Sequence, residues 1–379
     1  MTLVLPPLSL YIHVPWCVRK CPYCDFNSHA VRDDIPESAY IESLIQDLDS
    51  EIEFAQGRSI ESIFIGGGTP SLFSGESYKR LLDEINKRIP IIPNAEITLE
   101  ANPGTFEQEK FIGFRSAGIN RLSLGIQSFN DHKLEALGRI HNSEQAIQAA
   151  KLARDIFPNL NLDLMHGLPG QNIEAAMADL EQAIALQPDH LSWYQLTIEP
   201  NTEFHAKPPS LPVDETLWDI QEKGQAKIAA AGFTQYEISA YSQSLQKRSS
   251  HNLNYWTFGD YLGIGAGAHG KITLSEPKQI QRRWKQKQPK AYMQEETRLL
   301  GNEIIKQDEL AFEFMLNALR LHDGVPISLL AERTGLDLDQ IRSQILKARH
   351  KGLLVDDHKF LKPTAHGRLF LNDLLGIFL

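Results

Sequence analysis

The sequence predicts an α/β fold: six βα units in an open, partial (β/α)6 barrel, then a mostly α-helical, winged-helix-like C-terminal domain. Three observations carry this. Short apolar, often β-branched runs alternate with long segments of helical periodicity. The alternation occurs six times, short of the eight units that close a full barrel. After Gly232 the rhythm stops, and from about Ala291 the chain reads as helical.

The strands are expected at Leu8–Val14, Ser62–Gly66, Glu96–Ala101, Arg121–Gln127, Asn161–Gly167 and His190–Ile198. Helical periodicity covers Ser38–Ala55, Glu76–Arg88, Glu107–Ala117, Ser143–Ile156 and Ile173–Leu186. A sixth helix, Asp214–Ala231, follows Pro212, a residue suited to a helix start. Consecutive βα units of this length give parallel strands with right-handed crossovers. Function then sits at the C-terminal ends of the strands.

Past Gly232, Phe233–Tyr241 alternates like a further strand. Next come His251-Asn-Leu-Asn-Tyr255-Trp256 and a glycine-rich run from Gly263 to Gly270. Lys278–Lys290 carries six basic residues and no acid, and reads as a solvated linker. Ile327–Thr334, Gly335 and Leu338–His350 have helix-turn-helix spacing, with Leu353–Leu361 as a small wing. The expected division is 1–232, 233–290 and 291–379.

A length of 379 residues with 42% apolar and 23% charged residues describes a globular chain with ample core. Net charge is −10, which argues against nucleic acid as an electrostatic partner. Residues 291–379 hold 11 Lys/Arg against 13 Asp/Glu, so the helix-turn-helix pattern is read as packing, not DNA binding. The start, MTLVLPPLSL, lacks a basic leader and is interrupted by two prolines. It reads as neither signal peptide nor membrane span. A reducing cytoplasm is the expected location.

The three cysteines of the chain fall in Cys17-Val-Arg-Lys-Cys21-Pro-Tyr-Cys24. Three thiolates within eight residues can close on one inorganic centre. A [4Fe-4S] cube normally takes four cysteines, so three leave one iron open for a ligand. Zinc is the weaker alternative and would need His13 or His29 as a fourth ligand. An odd count does not make a disulfide framework.

With its flanks, Tyr11-Ile-His-Val-Pro15-Trp-Cys17 and Asp25-Phe26-Asn27-Ser28-His29, this motif resembles the radical S-adenosylmethionine (SAM) superfamily. The chain is similar to the branch holding the oxygen-independent coproporphyrinogen III oxidase and the HemW heme chaperones, from about Leu8 to Gly270 and more loosely beyond. The resemblance implies a radical SAM barrel whose open iron takes the amino and carboxylate groups of SAM. It implies that Gly66-Gly67-Gly68-Thr69-Pro70, directly after the second strand, receives the methionine amino group. It also implies SAM contacts from Tyr11, Glu100, Gln127, Arg139 and Asp163.

Two departures separate the chain from the oxidase. The oxidase run CxxxCxxCxC has a further cysteine where this chain has Phe26, and an N-terminal extension precedes its cluster. Both point to the chaperone side. So does His251-Asn252-x-x-Tyr255, an HNxxY signature associated there with heme, with His29, His166 and His269 as rival ligands. The implied function is heme binding and transfer to an acceptor protein, without coproporphyrinogen oxidase activity. A flavodoxin-type electron donor is an implied partner, and membrane contact is expected only through an acceptor. Radical decarboxylation of coproporphyrinogen III is the alternative.

Overall fold

The computed structural model describes residues 3–31, 34–105, 108–294, 296 and 298–379. The six expected strands are β1 (Leu8–Val14), β2 (Ile60–Gly67), β3 (Ile91–Ala101), β4 (Arg121–Gln127), β5 (Asn159–His166) and β6 (His190–Gln195). Each pairs in parallel with the next in sequence order. The helices between and after them are α1 (Glu37–Asp49), α2 (Gly75–Arg88), α3 (Gln108–Ser116), α4 (Ser143–Ile156), α5 (Ile173–Ala185) and α6 (Asp214–Ala230). The expected start of α3 at Glu107 lies outside the described residues. The helix expected to reach Ala55 stops at Asp49, and a short helix, Ile52–Ala55, follows.

The strands sort their residues by the two-residue pleat. Leu8, Leu10, Ile12 and Val14 of β1 are fully buried in the main hydrophobic cluster, with Ile63 and Ile65 of β2. The other face is buried but polar. Ser9 meets Ser62 at 2.8 Å, Tyr11 stacks near Phe64, and Ser123 donates to Asp163 at 2.7 Å. Buried polar groups persist only when partnered, and this face supplies the partners itself. Its C-terminal end is where the site forms. Helix starts are set locally: Asn142 and Gln145 form a reciprocal capping box at α4, worth about 1 kcal/mol.

The chain after Gly232 extends the same sheet. Its strands are β7 (Thr234–Gln235), β8 (Ala240–Ser242), β9 (Asp260–Ile264), β10 (His269–Leu274), β11 (Gln279–Lys285) and β12 (Leu299–Ile304). The twelve-stranded order is β12-β11-β10-β9-β1-β2-β3-β4-β5-β6-β8-β7. Strand β9 lies parallel to β1, and β10–β12 continue antiparallel.

The basic run is therefore not a solvated linker. Arg283 and Lys285 sit on β11, nearly fully buried, against Glu51 and Asp47. Arg282 pairs with Glu313. Strand β12 also interrupts the stretch expected to be helical from Ala291. Beyond it, Leu310–Ala318, Ser328–Thr334 and Arg342–His350 are helices around a second hydrophobic cluster. The expected wing contributes Phe360–Leu361, which pairs with Val325–Pro326. Among the described residues no helix is long and apolar enough to cross a membrane.

Candidate functional site

The cysteine loop leaves β1 and is closed by a small parallel ladder. His29 N donates to Pro15 O at 2.7 Å and Val31 N to Cys17 O at 2.8 Å. Cys24 N donates to Cys21 O at 3.1 Å, turning the chain between the last two cysteines. Cys17 is buried, while Cys21 and Cys24 are half-buried. Burial pushes the Cys17 and Cys24 thiols up, so as free thiols they hold their protons. A coordinated metal would reverse that by deprotonating them.

The far end of the loop is clasped by the sheet extension. Asn27 Nδ2 donates to Ala266 O at 2.9 Å and to Lys287 O at 2.8 Å. His13 Nε2 lies 2.9 Å from Asn27 O, and His13 Nδ1 lies 2.8 Å from the Tyr11 hydroxyl. The glycine-rich run belongs to this clasp. Gly265 and Gly267 have φ of 107° and 83°, and a Cβ at Gly267 would overlap Asn27.

All three cysteines line a single cavity of about 340 Å³. So do Gly67, Gly68, Thr69, Glu100, Gln127, Arg139 and Asp163. Ten of the residues predicted as cluster or cofactor contacts are thus brought together at the strand ends. That volume is within the usual range for small-molecule sites.

Gly67 and Gly68 are also required by close approaches within the protein. A Cβ at Gly68 would overlap the Trp16 carbonyl, backbone of the cysteine loop. Gly67 has φ of 114°, and a Cβ there would strike the His13 ring. Thr69 N donates to Trp16 O at 2.7 Å and Gly68 N to Val14 O at 2.8 Å. The glycines let the two loops touch through their backbones.

Glu100 Oε2 accepts from Gly67 N at 3.1 Å. Burial, with Asp163 adding to it, lifts this carboxyl to about 7. Arg139 Nη2 donates to Asn102 Oδ1 at 2.5 Å and to Gly125 O at 2.6 Å, while Nη1 lies 3.7 Å from Cys21 Sγ. Gln127 ends β4 with φ of 70°, an unusual conformation for a residue with a side chain, and accepts from the Tyr194 hydroxyl at 3.0 Å. Asp163 Oδ1 accepts from Asn161 Nδ2 at 2.9 Å.

Three predicted residues do not line the cavity. Tyr11 lies beneath it on the inward face of β1, where burial raises its hydroxyl far above the ordinary range. His251 and Tyr255 are on α7 (Ser250–Trp256), a helix set against the inward face of β1 and β2. His251 Nε2 and the Tyr255 hydroxyl are 2.7 Å apart, and the His251 ring stacks on Phe64.

Asn102, Ser123, Ser192 and Tyr194 line the cavity but were not read from the sequence as site residues. The signal was present in the two-residue pleat. Counting back along β6 places Ser192 and Tyr194 on one face, as it places Ser123 with Gly125 on β4.

Comparison with known proteins follows the same geometry. The profile of the Radical SAM superfamily matches residues 11–183, and that of the HemN C-terminal domain matches 305–370. Heme chaperone HemW of Escherichia coli K12 is 51% identical, over 99% of both chains. The Haemophilus influenzae protein of that name is 53% identical over 99% of this chain and 98% of its own. Radical S-adenosyl methionine domain-containing protein 1, mitochondrial, of Bos taurus is 32% identical over 97% of this chain and 86% of its own. Among solved structures, coproporphyrinogen III oxidase HemN from Escherichia coli, a radical SAM enzyme, superposes with a TM-score of 0.82. It covers 99% of this chain and 90% of its own at 24% identity, a likeness of fold.

Proposed function

The chain belongs to the HemW family of the radical SAM superfamily, and from that premise we propose that it is a heme chaperone, taking up heme and passing it to an acceptor protein in the cytoplasm. The observation that carries this reading is the full-length likeness to proteins named heme chaperone HemW. Oxidative decarboxylation of coproporphyrinogen III is not favoured, since likeness to the oxidase is one of fold and the oxidase's extra cysteine is Phe26 here.

Cys17, Cys21 and Cys24 would hold a [4Fe-4S] cluster, and Gly67, Gly68, Thr69, Glu100, Gln127, Arg139 and Asp163 would hold SAM in the cavity beside it. Bound together, the two groups supply an electron and a sulfonium that it can cleave. The chain's part is to place and shield them. Arg139 sets its charge near Cys21, the Asn27 clasp fixes the loop, and Tyr11 supports His13 under Gly67. Labour divides along the chain: 1–232 for cluster and SAM, 233–290 for the extension bracing the cysteine loop, and 291–379 for the helical part.

The test is anaerobic reconstitution with iron and sulfide, then two incubations. With hemin and an apo-acceptor hemoprotein, saturable uptake and transfer are expected. With SAM, reductant and coproporphyrinogen III, no protoporphyrinogen is expected. Protoporphyrinogen formation without heme transfer would overturn the reading in favour of the oxidase.

A further inference from the structure

Strands β1 to β4 end side by side at the cavity, and each contributes to one polar belt. Cys17 follows β1, Thr69 follows β2 and Asn102 follows β3. Arg139 is tied to β4 through Gly125 O, at 2.6 Å. Hydrogen bonds join the members. Arg139 Nη2 donates to Asn102 Oδ1, and Asn102 Nδ2 lies 3.0 Å from Thr69 Oγ1. The Thr69 side chain, 3% exposed, bonds in turn to Cys17.

Elementary chemistry fixes the direction of each bond. A guanidinium only donates, so the Asn102 atom that faces it is the oxygen. The amide nitrogen then faces Thr69, whose hydroxyl accepts from it. The proton of that hydroxyl is left for the Cys17 sulfur. An iron-bound thiolate carries no proton and can only accept. All three bonds therefore point the same way, from the guanidinium to the sulfur. Hydrogen bonds aligned in a chain polarise one another.

The other two cysteines have donors of their own. Arg139 Nη1 lies 3.7 Å from Cys21 Sγ. Ser28 is 7% exposed, and its Oγ lies 3.8 Å from Cys24 Sγ. A donor to a ligating sulfur offsets negative charge, and reduction of a cluster adds such charge. Such donors therefore favour the reduced state and raise the potential. Arg139 serves Cys21 directly and Cys17 at a distance.

Resting on the reading that the three cysteines hold a [4Fe-4S] cluster, we propose that Arg139, Asn102 and Thr69 form a hydrogen-bond relay to the Cys17 sulfur, and that this relay sets the reduction potential of the cluster. Thr69 gives the last bond, and Asn102 is a positioning residue that acts through it. The relay ties the electronics of the cluster to the strand ends that build the cavity.

The experiment is a potentiometric titration of the anaerobically reconstituted full chain, without SAM, so that altered SAM binding does not enter. Thr69→Val keeps the branched shape and removes the hydroxyl. It is expected to lower the ratio of reduced to oxidised cluster at a fixed potential at least about threefold, a shift of about 30 mV for one electron. It should also move the Fe–S(Cys) stretching bands in resonance Raman spectra. Thr69→Ser keeps a hydroxyl and should match the parent. Asn102→Leu leaves the Thr69 hydroxyl in place, yet should lower the potential too. The double variant Thr69→Val, Asn102→Leu should match Thr69→Val alone, because one residue acts through the other. Iron and sulfide content shows which variants are loaded, and Asn102→Leu carries the test if Thr69→Val does not hold the cluster. The parent's potential in either loaded single variant overturns the inference, and so do effects that simply add in the double variant. A parent chain that takes up no iron and sulfide would instead sink the cluster reading itself.

Discussion

Replacing Lys285 with Met should be among the most damaging single changes in this chain, and the cause lies far from the cavity. Lys285 Nζ lies 2.6 Å from Asp47 Oδ1 and 2.6 Å from Glu51 Oε1, and all three side chains are at most 2% exposed. At an effective dielectric of about 20, each contact is worth roughly 6 kcal/mol gross. Desolvation of the ions offsets much of that, so the pairs add little net stability over apolar residues. Removing the cation alone is another matter. Two buried carboxylates would remain with Arg283 as their charge partner, at a cost of about 3–5 kcal/mol. Burial already holds the Asp47 carboxyl above its ordinary range despite Lys285. Without Lys285 it should rise further. A folded-state pKa above the unfolded one gives stability that is present at low pH and lost as pH rises through the folded value. Lys285→Met should therefore be most destabilised at pH 7 and recover on acidification toward pH 5 (both about). Urea unfolding followed by tryptophan fluorescence at the two pH values is the assay. The triple change Lys285→Met, Asp47→Asn, Glu51→Gln should recover most of the loss. A single variant within about 0.5 kcal/mol of the parent at neutral pH, an effect ordinary for a surface position, would refute the argument.

Other outcomes follow from the cavity. Cys21→Ala should abolish the iron–sulfur absorption after reconstitution while leaving far-ultraviolet circular dichroism intact, because the loop lies outside the core strands. Gly68→Ala should cost about 1–3 kcal/mol by overpacking and lower iron content, since its Cβ meets the Trp16 carbonyl; iron and sulfide assays check it. Glu100→Gln should flatten the pH dependence of apo-protein stability. The parent carboxyl, raised from 4.5 to about 7, makes the fold lose stability as pH rises across that interval, and thermal melts from pH 5 to pH 7 (both about) would reveal the difference. Arg139→Met should weaken SAM binding in equilibrium dialysis and lower the potential of the reconstituted cluster, because it removes the positive charge beside Cys21.

What the sequence could show depended on how far apart the cooperating residues lie. CxxxCxxC and the glycine run were legible because each carries its chemistry within a few residues. The six βα units were legible from periodicity, and all six strands are present. The basic run was misread because its partners, Asp47 and Glu51, are 238 and 234 residues away. Local composition reads such charges as solvated, and only the sheet order brings β11 against α1. The reason for Gly68 was hidden in the same way, since the obstructing atom belongs to the cysteine loop. HNxxY was read as ligand chemistry, and its i, i+4 spacing on a helix also brings the two side chains together. In the structure they bond to each other.

The sheet extension links these observations. Asp47 Oδ2 accepts from Gly265 N at 3.1 Å and from the Tyr292 hydroxyl at 2.7 Å. The next residue, Ala266, receives Asn27 through its carbonyl and donates its N–H to Tyr40, whose hydroxyl donates to His13 O. A chain of short contacts thus runs from the buried charges on α1 and β11, through the glycine-rich turn, to the residue three places after Cys24. Apart from the half-buried Asn27 side chain, each link is backbone or fully buried, which leaves little freedom to absorb a shift. The charges on β11 are retained at a desolvation cost that an apolar core would not bear. Their position gives the reason: they fix α1 and the extension in a single register, and with them the loop that carries the cysteines. Loss of Lys285 should then reach the cluster before it reaches global unfolding. Iron retention under mild urea should fall ahead of the main tryptophan transition, whereas a purely global effect would move the two together.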